Sequence, residues 1–275
     1  MSEHPFNHLL LATEHTEFDV GAERVAVEMA SRCGLPLMGV LPLVSNPVYE
    51  VEAPQLAARF EREAATKVTE LTATALASGV QLDMHVRRGE EPYREIVDEA
   101  VKRKADLLVI RRRGKRGFLA SLMIGEMVNK VLGHATCSVL VVPRASRMWA
   151  RGILAAVDND SPGNIITVAA TIALECDLPL TIVSVAETAA MQQQAEATVA
   201  RHVAAAQALG ARVQGRVLSG KAHEQILAAT KDLRADLIVV GRGGKHGTGR
   251  ISIGSTMQKI AGHADEAVLV VRPAS

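Results

Sequence analysis

Aromatic side chains are scarce: four Phe, two Tyr and one Trp, 3% of 275 residues. The core must therefore be built from Val, Ile, Leu and Ala, as in sheets covered by helices on both faces. Cysteine is scarce too. Cys33, Cys137 and Cys176 stand far apart with no CxxC pair, so their spacing indicates neither a disulfide framework nor a zinc site, and a reducing, cytoplasmic location is the expectation. No apolar run reaches the ~18 residues that a bilayer crossing requires. The segment Met1 to Asn7 is polar, without a signal peptide's apolar core. Net charge is also missing: 31 basic against 30 acidic side chains leave +1, so no global field draws the chain to nucleic acid or anionic lipid. Neither GxxxxGK[ST] nor a GxGxxG after the first strand occurs, which argues against P-loop hydrolysis and the ordinary dinucleotide fold.

What is present is 48% apolar and 22% charged residues, a globular balance, in a length that suits two domains of ~150 residues. The chain also repeats itself. Leu9 to Glu14 aligns with Ile153 to Asp158, and Cys33-Gly34-Leu35-Pro36-Leu37 with Cys176-Asp177-Leu178-Pro179-Leu180. Ala105 to Ile110 aligns with Ala235 to Val240, and Gly133-His134-Ala135 with Gly262-His263-Ala264. We read two copies of one domain, 1–146 and 147–275, joined near Pro143 to Trp149.

In each copy, short β-branched runs alternate with Ala-rich stretches of helical spacing. The strand expectations are Leu9 to Ala12, Leu37 to Leu41, Leu82 to Val86, Leu107 to Ile110 and Val139 to Val142. In the second copy they are Ile153 to Val157, Leu180 to Val185, Arg212 to Leu218, Leu237 to Val240 and Val268 to Val271. Strict alternation implies α/β architecture: two tandem Rossmann-like domains, each a five-stranded parallel sheet flanked by helices. The first copy carries a Pro-rich loop, Pro42 to Pro54, and a longer charged stretch, Val51 to Ser78. This reads as a lengthened helix, with a lid or partner surface as the alternative. The apolar final strands, Val139 to Val142 and Val268 to Val271, need partners.

Ligands in such sheets bind beyond the carboxyl ends of the strands, where strand order reverses. There the second copy has five glycines among nine residues, Gly241 to Gly249. Each costs backbone entropy, which is sensible where the backbone approaches a ligand closely; a flexible surface loop is the plain alternative. The basic Arg242, Lys245, His246 and Arg250 suggest an anion. A helix expected to begin near Gly254 and Ser255 adds unpaired N–H groups and a positive dipole end. Ser255 either caps that helix or donates to a phosphate.

The pattern Gly241-x2-Gly244-x9-Gly254-Ser255 resembles the ATP-binding signature of the universal stress protein family. Val157-Asp158, Leu218-Ser219-Gly220, Ala235-Asp236 and Val268 to Val271 resemble its other landmarks, twice over in tandem. The fold of that family belongs to the HUP, adenine-nucleotide α-hydrolase-like class. The resemblance implies ATP, ADP or AMP as ligand, with or without Mg²⁺. It implies Asp158 at the ribose, Ala156 and Val185 along the adenine, and Val240, Gly241, Gly243 and Gly244 as the ribose and phosphate wall. Gly254, Ser255 and Thr256 would hold phosphate oxygens. Charge alone adds Arg242 and Lys245. In this family the final strands pair antiparallel between subunits; here they are expected to pair within one chain as a pseudo-dimer, a homodimer of chains being left open.

The first copy departs from the signature. Arg111-Arg112-Arg113-Gly114 replaces Gly241-Arg242-Gly243-Gly244, Glu126 replaces Ser255, and Glu14 replaces Asp158. We expect Glu126 to occupy the phosphate position, paired with Arg111, Arg112, Arg113 or Arg116. The basic run with Phe118 admits nucleic-acid contact as a minor reading. No Cys–His pair suggests a nucleophile. His134 and His263 read as turn residues, and His4 with His8 as a weak metal pair. These observations favour a nucleotide-binding regulatory protein of the stress response, with no catalytic residue and no metal site assigned. The alternatives are slow ATP hydrolysis or autophosphorylation on Ser255 or Thr256, a related adenylate-handling enzyme, and a ligand-free scaffold.

Overall fold

A computed structural model describes residues 4–45, 54–112, 125–161, 163–242 and 254–273. Ten strands form one sheet. In the first half they are β1 (Leu9–Ala12), β2 (Leu37–Val44), β3 (Leu82–Gly89), β4 (Leu107–Arg111) and β5 (Ser138–Val142). In the second they are β6 (Ile153–Ala156), β7 (Leu180–Ala186), β8 (Val213–Ser219), β9 (Leu237–Gly241) and β10 (Ala267–Val271). The helices are α1 (Val20–Cys33), α2 (Pro54–Ala77), α3 (Pro92–Lys102), α4 (Glu126–His134), α5 (Ile165–Glu175), α6 (Gln192–Ala208), α7 (Ala222–Asp232) and α8 (Ser255–His263).

The strand order is β3-β2-β1-β4-β5-β10-β9-β6-β7-β8. Within each half all pairings are parallel, and order reverses between β1 and β4 and between β6 and β9. At the centre β5 and β10 run antiparallel, with Leu140 opposite Leu269. The six paired side chains Val139 to Val141 and Val268 to Val270 are at most 2% exposed. Burying each contributes about 1.5–3 kcal/mol relative to exposure, which is what holds the halves edge to edge.

Local chemistry repeats along with the topology. Asp106 accepts the N–H groups of Asn7 (2.7 Å) and His8 (2.9 Å), clamping the chain as it enters β1. Asp236 does the same for Ala150 and Gly152 ahead of β6. His134 and His263 each place Nδ1 2.7 Å from the carbonyl four residues earlier, the turn role expected of them. Helix α1 ends on Gly34 with φ +64, whose N–H reaches the carbonyls of Ala30 and Ser31. A left-handed residue stops the helix there, and glycine takes that conformation without a Cβ penalty. In the twin position Asp177 adopts φ +52.

Two expectations are refined. Strand β2 continues through Pro42 to Val44, so the Pro-rich stretch opens as strand; parallel pairing to β3 persists to Val44. Within the charged stretch, Pro54–Ala77 is a lengthened helix: α2 has 24 residues against 17 in α6.

Candidate functional site

The sheet reverses order between β6 and β9, and a cavity of about 400 Å³ lies beyond the carboxyl ends of these strands. That size suits a small molecule. Ala156 and Asp158 reach it from the end of β6, Val185 from β7, and Val240 and Gly241 from β9. Gly254, Ser255 and Thr256 supply the opposite side, at the start of α8. The walls are therefore aliphatic near the sheet and polar at the rim.

The polar rim has two parts. Asp158 closes a turn: its Oδ1 accepts from the Ser161 hydroxyl (2.8 Å) and the Asp160 N–H (3.1 Å), and its own N–H donates to Ser161 Oγ (2.8 Å). The turn role and a place at the cavity are thus compatible. The second part is the entry to α8. Gly254 is the N-cap, and among the described residues no side chain caps the helix and no acidic residue stands in its first turn. Ser255 is the first helical residue rather than the cap. The helix's first N–H groups and positive dipole end therefore lie at the cavity beside Gly254.

The first half fills the corresponding space. Arg111 ends β4 where Gly241 ends β9, and it is 7% exposed. Its guanidinium reaches Asp19 at 2.7 Å and Glu14, the counterpart of Asp158, at 3.0 Å. Burial opposes its charge, but Asp19 and Glu14 hold its pKa above the usual arginine range. The expected Glu126 pairing is corrected: Glu126 is exposed and lies 3.1 Å from Lys130, one turn along α4. Arg111, rather than Glu126, is the charged group held at this strand end: Asp19 and Glu14 engage its guanidinium, while the Glu126 carboxylate is turned to solvent beside Lys130. Arg113, Arg116 and Phe118 lie outside the described residues.

Arg242 is also corrected. It is 6% exposed and does not line the cavity. Its guanidinium donates to the carbonyls of Ala135 and, at 2.6 Å, Gly133, at the carboxyl end of α4 in the other half. Arg112, its twin, donates to the Ala264 carbonyl at the end of α8. Each half thus caps a helix of the other, where the dipole is negative. Burial, with Arg272 nearby, pulls the Arg242 pKa below its usual range. Arg242→Ala should cost about 2–3 kcal/mol, the worth of charged hydrogen bonds to the helix end. Thermal unfolding should register that loss while nucleotide affinity changes less than about twofold; a large affinity loss would return Arg242 to the ligand. Gly243, Gly244, Lys245, His246 and Arg250 lie outside the described residues.

The cavity also uses residues not singled out from the sequence: Ser161, Val183, Ile226 on α7, and Met257 and Ile260 on α8. Ser161 stands in a polar turn, and the only signal of the others was apolar periodicity, which reads the same for any core position. His4 and His8 do not pair with each other: His4 meets Glu175 at 2.8 Å and His8 meets Asp106 at 3.6 Å. The two have no helix between them to align their side chains.

A duplicated, order-reversing α/β sheet with a cavity at a strand-end crevice defines a tandem Rossmann-like protein. The chain matches the universal stress protein family over residues 5–143 and again over 150–272. It belongs to that family, as a tandem member. It is 32% identical over 132 residues to universal stress protein MJ0531 of Methanocaldococcus jannaschii, covering 48% of this chain and 69% of that one. Its fold is similar to the crystal structure of a universal stress protein from Archaeoglobus fulgidus, with TM-score 0.79 and 18% identity, covering 98% and 97% of the two chains. A putative universal stress protein from Pseudomonas aeruginosa gives TM-score 0.69 at 18% identity, covering 97% and 94%. Among the described residues no helix is long and apolar enough to cross a membrane.

Proposed function

We propose that this tandem universal stress protein binds an adenine nucleotide, ATP or its ADP or AMP relative, in the second-half cavity, and that occupancy regulates rather than feeds catalysis. The carrying observation is the contrast between halves: Gly241 leaves open the space that Arg111 fills in the twin. Ala156, Val185 and Val240 offer an aliphatic slot for the base. Asp158 stands at its rim as an acceptor for ribose hydroxyls. The bare entry to α8 at Gly254, Ser255 and Thr256 suits the phosphates. Asp158 and Asp160, adjacent at the rim, suit a Mg²⁺ that accompanies them.

The test is mass spectrometry of small molecules released from the purified chain, followed by titration with ATP, ADP and AMP in the presence of Mg²⁺. Recovery of intact adenine nucleotide at up to one per chain is expected. Steady conversion of ATP to ADP would move the reading to a slow hydrolase. No adenine nucleotide recovered and no heat on titration would leave a ligand-free scaffold.

A further inference from the structure

The pseudo-twofold arrangement does more than pair two strands. It also brings together the ends of the equivalent helices α1 and α5. Cys33 is the last residue of α1, and Glu175 and Cys176 close α5. His4 reaches across from the other half, with Nδ1 2.8 Å from Glu175 Oε1. His4 Nδ1, Cys33 Sγ and a Glu175 carboxylate oxygen all lie within 4.8 Å of one another. Cys176 is near enough that both it and Glu175 act electrostatically on Cys33.

We propose that His4, Cys33 and Glu175 form a binding site for a zinc-class divalent cation, two ligands coming from the first half of the chain and one from the second.

The donor set is one imidazole nitrogen, one thiolate sulfur and one carboxylate oxygen, with the fourth position left to solvent, which suits zinc and disfavours the oxygen-seeking magnesium and calcium. Bonds of about 2.0–2.3 Å place tetrahedral ligand atoms about 3.5 Å apart. Closing from the observed spread needs movements of about 1 Å, well within side-chain adjustment. The His4 and Glu175 side chains are 28% and 17% exposed, so an ion can enter from solvent.

The test uses the full-length reduced protein and Co²⁺ as the optical probe. One equivalent of Co²⁺ should give a near-ultraviolet thiolate charge-transfer band, and Zn²⁺ should bleach it. Cys33→Ser should lose the band and bind Zn²⁺ at least about thirtyfold more weakly against a chromogenic chelator. His4→Ala should weaken binding about tenfold, while Cys137→Ser should leave it unchanged. Should Cys33→Ser fail to fold, per-residue alkylation of wild type decides: Zn²⁺ should slow modification of Cys33. Absence of the band in wild type, its persistence in Cys33→Ser, or unslowed modification of Cys33 would each overturn the site.

Discussion

Glutamate at position 254 is expected to weaken adenine nucleotide binding by at least about a hundredfold, or about 2.7 kcal/mol. Among the described residues a Cβ built at Gly254 meets nothing within 4 Å, and its backbone, φ −57 and ψ 137, is one that ordinary residues adopt. The new carboxylate stands at the N-terminus of α8, where the dipole favours it, and takes the place offered to phosphate. Calorimetric titration of Gly254→Glu with ATP should show no measurable heat while its thermal midpoint equals or exceeds that of wild type. Wild-type affinity in that variant would place the ligand elsewhere.

Arg111→Ala should be the most destabilising single change in the first half. Asp19 is 1% exposed and has three partners: the Thr16 N–H, the Thr16 hydroxyl and Arg111. Removing the guanidinium strands a buried carboxylate, at a cost of about 3–5 kcal/mol. In a chain of this size the thermal midpoint should drop by about 10 °C. The emptied space should still reject nucleotide, since Glu14 and Asp19 leave it negatively charged. Denaturant unfolding with a change below about 1 kcal/mol would show the pair to be a surface interaction of little worth.

The sheet was legible because its signal is short-range. The inner strands lie on largely aliphatic runs, while β3 and β8 at the margins mix in polar residues, and the repeated Ala-Asp, Gly-His-Ala and Cys-x-Leu-Pro-Leu landmarks mark the same turns in both halves. The cavity was legible where glycine and aspartate break the apolar pattern, at Gly241, Gly254 and Asp158. What escaped was long-range. The charge of Arg242 suggested an anion, but the partial negative charge it meets is a helix end contributed by the other half. Glu126 was assigned by alignment to Ser255, yet alignment does not say which way a first-turn side chain points. Val183, Ile226 and Ile260 carry no mark separating a cavity wall from a core. Cys33 and Cys176 read as equivalent helix ends, and only the pseudo-twofold axis makes them neighbours.

The central seam has a consequence for assembly. In joining β5 to β10 the chain engages both of its terminal strands internally, so a second copy finds no such strand to dock against. The free margins of the sheet are β3 and β8. They carry Asp83, His85, Arg87 and Arg88 on one side and Gln214 and Arg216 on the other, and charged residues at a sheet margin discourage further strand addition. Duplication has turned a contact that needs a second molecule into an internal one, formed at any dilution, and any higher assembly must be built from helical surfaces.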